Sequence, residues 1–143
     1  MEDHSNHKEI INEAFESLKL LFEESPQAIY LYLDDEYKIC NENFAQLLGY
    51  ESNEEWNNVK GQFTSAFVDD ESQEDLVNSF QNVVNNLEGN SFDVVWKRKD
   101  NSKVTTNVII VPFPVQDHVL ALHFISELEV EDFSDSEDEE EVN

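Results

Sequence analysis

Basic residues are scarce in this chain. Its 143 residues include 8 Lys and Arg against 33 Asp and Glu, a formal net charge of −25. A surface that grips nucleic-acid phosphates has to be basic, so DNA and RNA are excluded as direct partners. Anionic membranes are disfavoured for the same reason. Uninterrupted apolar sequence is missing too, since no run approaches the roughly 20 residues needed to span a bilayer. The first residues, MEDHSNHKEI, are acidic and polar and do not resemble a secretion signal. Cys40 is the only cysteine, so an internal disulfide is impossible, and the chain reads as a cytoplasmic protein of a reducing compartment. No internal repeat is present.

Hydrophobic residues make up 39% of the chain, enough for the core of one domain. Residues 6–24 have the pattern of an amphipathic helix, with Ile11, Ala14, Phe15, Leu18, Leu21 and Phe22 at three- and four-residue spacing. Asn6 with Glu9 has the form of a cap at its start, and Ser25-Pro26 ends it. Ala28 to Leu33 and Tyr37 to Cys40 read as two strands about the polar turn Asp34-Asp35-Glu36. Short helices are expected at Asn43–Leu48, stopped by Gly49, and over residues 52–56 and 62–67. A longer helix is capped by Asp70 with Gln73, places Leu76, Phe80, Val83, Val84 and Leu87 on one face, and ends at Gly89.

The segment from Ser91 to Phe113 carries the strongest strand signal. Phe92, Val94 and Trp96 recur at a two-residue period, the Asp100-Asn101 pair suits a tight turn, and Val104–Val111 returns. His118–Ile125 is the last strand. Strands grouped as a pair and a triple around helices predict one antiparallel sheet with helices on one face.

This order, and particular residues in it, resemble a PAS domain across about 26–127. Arg98-Lys99-Asp100-Asn101-Ser102 is similar to the family's hairpin turn, with Asn101 where Gly is usual. Asn41-Glu42-Asn43-Phe44 looks like its Asn-x-x-Phe step from strand to helix, and Leu47-Leu48-Gly49-Tyr50 resembles its Leu-Leu-Gly-Tyr. Asp69-Asp70, Leu87-Glu88-Gly89 and Ile125-Ser126-Glu127 match the opening and exit of the long helix and the end of the sheet. Phe124 stands where the family usually has Asp. The resemblance implies an α+β fold: a PAS-like five-stranded antiparallel sheet, short helices on one face, and the N-terminal amphipathic helix before it. The domain plan is then 1–25 helix, 26–127 PAS domain and 128–143 acidic tail. Ten acids lie between Glu127 and Glu141, and with almost no apolar content the tail is expected to be disordered. Ser134 and Ser136 sit among these acids in a pattern that acidophilic kinases favour.

PAS domains are sensor and interaction modules, seldom catalysts. The chemistry of the chain agrees with that expectation: no paired base and nucleophile, metal triad or phosphate loop is legible. Cys40 lies outside any flavin-adduct motif and reads as a small buried hydrophobe. His4, His7, His118 and His123 show no zinc spacing, and residues 70–89 lack the histidine that haem-binding relatives use, so no metal or cofactor is expected. Ile29, Leu31, Phe44, Leu48, Phe63, Phe67, Phe80, Val84, Val94, Trp96, Ile109 and Phe124 read first as the core, and they are also the candidate lining of a pocket for a small apolar or aromatic ligand. Lys97, Arg98, Lys99 and Lys103 crowd the hairpin tip and could meet a partner's carboxylates or the acidic tail. The helix face of Ile11, Phe15, Leu18 and Phe22 is too apolar for water and must cover the chain's own sheet, a second chain or both; a homodimer that uses it is predicted. The expected role is a non-enzymatic sensory module acting through a signalling partner; an acidic adaptor or chaperone-like protein that binds basic partners is the alternative.

Overall fold

The computed structural model describes residues 5–127. The acidic tail and its two serines lie outside them, as does His4. Ten elements follow in chain order: α1 (Ser5–Glu24), β1 (Ala28–Tyr32), β2 (Lys38–Cys40), α2 (Glu42–Leu47), α3 (Asn53–Asn57), α4 (Phe63–Phe67), α5 (Asp70–Asn86), β3 (Asn90–Lys97), β4 (Lys103–Val115) and β5 (His118–Glu127). The strands form one antiparallel sheet in the order β2-β1-β5-β4-β3. The predicted hairpin pairing is present, from Asn90 opposite Ile110 to Lys97 opposite Lys103.

Both faces of the sheet are covered. On the inner face Tyr30, Val94, Trp96, Val108, Ile110, Ala121 and Ile125 meet Phe44, Trp56, Phe63, Phe67, Leu76 and Val83 from the short helices and α5. On the outer face Ile29, Leu31, Leu120 and Leu122 meet Ile10, Ile11, Ala14 and Phe22 of α1, with Phe15 and Leu18 at the rim. The amphipathic helix therefore covers its own sheet. Ile11 and Phe22 are buried in their own chain, whereas Leu20 and Leu21 remain exposed, at 71% and 36%.

The ends of the elements explain several departures from expectation. Asp69, not Asp70, caps α5, accepting from the Glu71 amide at 3.2 Å, while the Gln73 side chain donates to Val68 O and to Asp70 Oδ1. The left-handed residue after α5 is Leu87 (φ 57°), not Gly89. Gly89 serves a close approach instead, since a Cβ there would sit 3.3 Å from the Ile110 carbonyl oxygen. The β3–β4 turn is a three-residue loop in which only Asn101 has positive φ (73°), with Arg98 N–H donating to Ser102 O at 2.7 Å. His118 is not in a turn but opens β5, opposite Val115. β4 runs on through Pro112 and Pro114, beyond the run read from sequence. Those prolines are tolerated because β3 pairs no further than Ile110, which leaves this stretch of β4 an edge where missing N–H groups cost no ladder bond.

Asn41 joins three segments. Buried at the start of α2, it accepts from the Phe44 and Ile29 amides, both at 3.1 Å, and donates to Gln27 O at 2.9 Å. Asn41→Ala leaves the Ile29 amide and the Gln27 carbonyl without this partner and removes a helix cap. It is expected to lower stability by about 2–4 kcal/mol, measured by urea unfolding.

Candidate functional site

A cleft of about 270 Å³ opens between the inner sheet face, the start of α4 and α5. Its size is just below the range typical of drug-sized ligand sites, which leaves room for a single small ring system. Tyr30 and Tyr32 of β1 and His123 of β5 form its floor, Phe63 and Thr64 one wall, and Leu76, Val77 and Phe80 the other; Asp35, Gln62 and Gln81 rim it.

The aromatic arrangement is set by β1 and β5. Tyr30 and His123 are paired residues of the two strands, and their rings stack at 3.9 Å and 12°. Tyr30 also stacks on Phe63 at 5.3 Å and meets Trp96 edge-on at 5.9 Å. Tyr32 takes Phe63 and Phe80 edge-on, at 5.2 and 5.1 Å. His123 is 2% exposed, with Nδ1 3.1 Å from Ala121 O. Burial drives its pKa down to about 3, so it is neutral at ordinary pH. Burial likewise raises the pKa of both tyrosines, and the Asp35 carboxylate adds to the effect at Tyr32.

Asp35 is the one acid at the cleft. Its Oδ1 accepts from the Tyr32 hydroxyl at 2.7 Å and from the Phe63 amide at 3.1 Å, which ties the β1–β2 turn to α4. Lys38 stands behind this turn and is almost fully buried. Its Nζ donates to Val59 O at 2.9 Å and to Asn57 O and Asp35 O at 3.4 Å, above the Trp56 ring. Burial lowers its pKa.

Of the twelve residues expected to line a pocket, Phe63 and Phe80 line the cleft. Phe44, Leu48, Phe67, Val94 and Trp96 are packed in the adjoining core, and Val84 is half-buried on α5, where Val83 takes the inward position. Ile29, Leu31 and Phe124 lie on the other face under α1, and Ile109, on that face as well, is 41% exposed. The strand phase accounts for this. AIYLY is apolar in both phases, and a shift of one residue exchanges the faces. The usable signal was α1: an amphipathic helix must cover the greasier phase, Ile29 and Leu31 with Leu120 and Leu122, which leaves Tyr30 and His123 to the cleft.

The other candidates have structural surroundings. Cys40 is fully buried and its thiol pKa is raised by burial. His7 Nδ1 lies 2.5 Å from Asp34 Oδ2, and its ring is edge-on to His118 at 5.0 Å. At the hairpin tip Lys99 pairs with Glu55, Lys103 with Asp69 at 2.8 Å, Lys97 donates to Ser65 O at 2.7 Å and Arg98 Nε to Leu47 O at 3.0 Å. The cluster spends its donors within the chain. Among the described residues no group of three His, Cys, Asp or Glu is placed to hold a metal ion.

The PAS domain family model matches residues 26–129. Solved structures with the same fold include the PAS domain of an HTR-like protein from Haloarcula marismortui, 21% identical, with a TM-score of 0.57, covering 87% of this chain and 100% of that one. The PAS domain of the fruit-fly ELK potassium channel is 16% identical, with a TM-score of 0.62 and coverage of 80% and 96%. The Rhodobacter sphaeroides LOV protein is 15% identical, with a TM-score of 0.64 and coverage of 81% and 68%. No curated protein matches the chain.

The buried imidazole gives the fold an acid-sensitive term. The folded pKa of His123 is depressed from 6.5 to about 3, so its contribution is complete above pH 6.5 and is lost as pH falls below that value, where the unfolded chain takes up the proton first. Between pH 6.5 and 3 the wild type should lose stability faster than His123→Phe, by up to about 1.4 kcal/mol per pH unit. Urea unfolding of both proteins across this range checks it; parallel declines would exclude the assignment.

Proposed function

Because the chain belongs to the PAS domain family, we propose that it is a non-catalytic sensory module that acts through partner proteins and holds a small apolar or aromatic ligand in the cleft between β1, β5 and α5. PAS domains are signal-sensing modules common in signal transduction, and they are generally not catalysts. The observation that carries the ligand reading is the cleft of about 270 Å³ walled by Tyr30, Tyr32, Phe63 and Phe80. Four rings and the aliphatic Leu76 and Val77 offer an apolar solute burial without the loss of polar hydration. No helix among the described residues is long and apolar enough to cross a membrane.

A second copy of the chain is the partner that α1 favours. Leu20 and Leu21 are exposed on the helix that covers the outer sheet face. Association through them hides apolar area that the fold leaves in water. A signalling partner would use the same surface.

Two measurements test the reading. Toluene titrated into the labelled protein should shift the backbone amide signals of Tyr32, Phe63 and Val77, with a dissociation constant on the order of 1 mM or tighter for so small a solute. Val77→Trp, which fills the mouth of the cleft, should abolish the shifts without unfolding the protein. Light scattering should find a dimer that Leu20→Glu with Leu21→Glu converts to a folded monomer. A wild type that stays monomeric at all concentrations would refute the dimer. Phe15 and Leu18 are unsuitable for this test because they pack on the chain's own sheet.

A further inference from the structure

We infer that the ligand of the cleft is a small planar cation, a ring that carries a protonated nitrogen to the Asp35 carboxylate; this rests on the reading of the cleft as a ligand site. The geometry of the acid is the first argument. Two donors, the Tyr32 hydroxyl at 2.7 Å and the Phe63 amide at 3.1 Å, hold Asp35 by Oδ1. Its Oδ2 makes no hydrogen bond among the described residues. The carboxylate is thus oriented at the cleft with one oxygen left to accept. The Tyr32 hydroxyl is already spent as a donor towards Asp35, so it too can only accept from a ligand.

The second argument is the absence of a competing charge at the cleft. Its lining contains Asp35 and no Lys or Arg. Lys38 Nζ, which feels the Asp35 charge from outside the cleft lining, donates to the carbonyls of Val59, Asn57 and Asp35. His123 is held neutral by burial. An anionic ligand would meet the Asp35 carboxylate within a chain of net charge −25, whereas a cation is drawn to both.

The third argument is the shape of the site. Tyr30 is fixed between the stacked rings of His123 and Phe63, and Tyr32 holds Phe63 and Phe80 edge-on. The half-buried Tyr32 and Phe80 are the rings that keep surface open to a ligand, and an aromatic face there attracts the positive charge of a delocalised cation such as an amidinium or a protonated heterocycle. A flexible aliphatic ammonium gains the charge contact but not the stacking. The cleft volume of about 270 Å³ limits the ligand to one ring or two small fused rings.

Three probes built on one ring separate charge from shape: benzamidine, toluene and benzoate, each titrated into the full chain at about 0.15 M salt while amide shifts are followed. Benzamidine should bind tightest and benzoate weakest, all shifts centring on Tyr32, Phe63 and Val77. Asp35→Asn keeps an oxygen for the Phe63 amide and should weaken benzamidine at least about fivefold, leaving toluene unchanged. Asp75→Asn, which removes an exposed acid of α5 outside the cleft, should change neither. Circular dichroism establishes that each variant is folded. Should Asp35→Asn prove unfolded, Gln81→Lys, which puts a positive charge at the rim, should weaken benzamidine and strengthen benzoate. The inference falls if benzamidine binds no tighter than toluene, if Asp75→Asn weakens it as much as Asp35→Asn, or if benzoate binds best. In those cases toluene binding at the cleft leaves the proposed function standing. If none of the three probes shifts the cleft residues, the ligand reading itself falls with it.

Discussion

The stack of Tyr30 on His123 is the contact on which the inner half of this protein is arranged. Two paired residues of β1 and β5 place their rings 3.9 Å apart on the same face. From that position Tyr30 touches Phe44 of α2, Trp56 of α3, Phe63 of α4 and Trp96 of β3. Three short helices of five or six residues have little intrinsic stability. Each is held because it delivers one aromatic side chain to this ring. The same arrangement removes the imidazole from water, which costs the fold the charged form of His123.

The sheet is closed on both sides, and this governs what could be read in advance. The element order, the antiparallel hairpin and the amphipathic α1 were legible because each depends on local pattern: two-residue alternation in SFDVVWK, helical spacing from Ile11 to Phe22, a turn at Asp100-Asn101. The match of residues 26–129 to the PAS family agrees with the short motifs that pointed there. The cleft was less legible. A strand buried on both faces has no polar phase to reveal its orientation, so the sequence points to Ile29 and Leu31 for a pocket that Tyr30 and Tyr32 line instead. Asp35 was visible only as one of three acids in a turn. Its contact with Phe63 spans 28 residues, a separation that no local signal encodes.

Scarcity of positive charge has a structural counterpart. Lys38, Lys97 and Arg98 donate to backbone carbonyls of Val59, Ser65 and Leu47, while Lys99 and Lys103 pair with Glu55 and Asp69. Five of the eight bases are therefore fastened to other parts of the chain. The four at the hairpin tip bind the β3–β4 turn and its flanks to α2, α3, α4 and the cap of α5, segments whose own hydrogen bonds are few. Only three bases remain against 33 acids, a balance that favours cationic solutes.

The β1–β2 turn is where these themes meet. Adjacent residues of the turn serve opposite faces of the sheet. Asp35 presents its carboxylate to the cleft and binds the first amide of α4. Asp34 closes the turn by accepting from the Glu36 and Tyr37 amides, and its other oxygen lies 2.5 Å from His7 on α1. The acid that faces the cleft and the acid that meets the N-terminal helix thus share one peptide bond. Coupling between two faces of a sheet normally has to cross a packed core, which transmits little motion because its side chains interlock. Here the two faces are joined around the sheet edge by a short polar turn held by hydrogen bonds. The turn that carries Asp35 also meets α1 through Asp34 and His7, and α1 carries the exposed Leu20 and Leu21. The turn thus joins the cleft lined by Tyr32, Phe63 and Phe80 to the helix that covers the opposite face of the sheet.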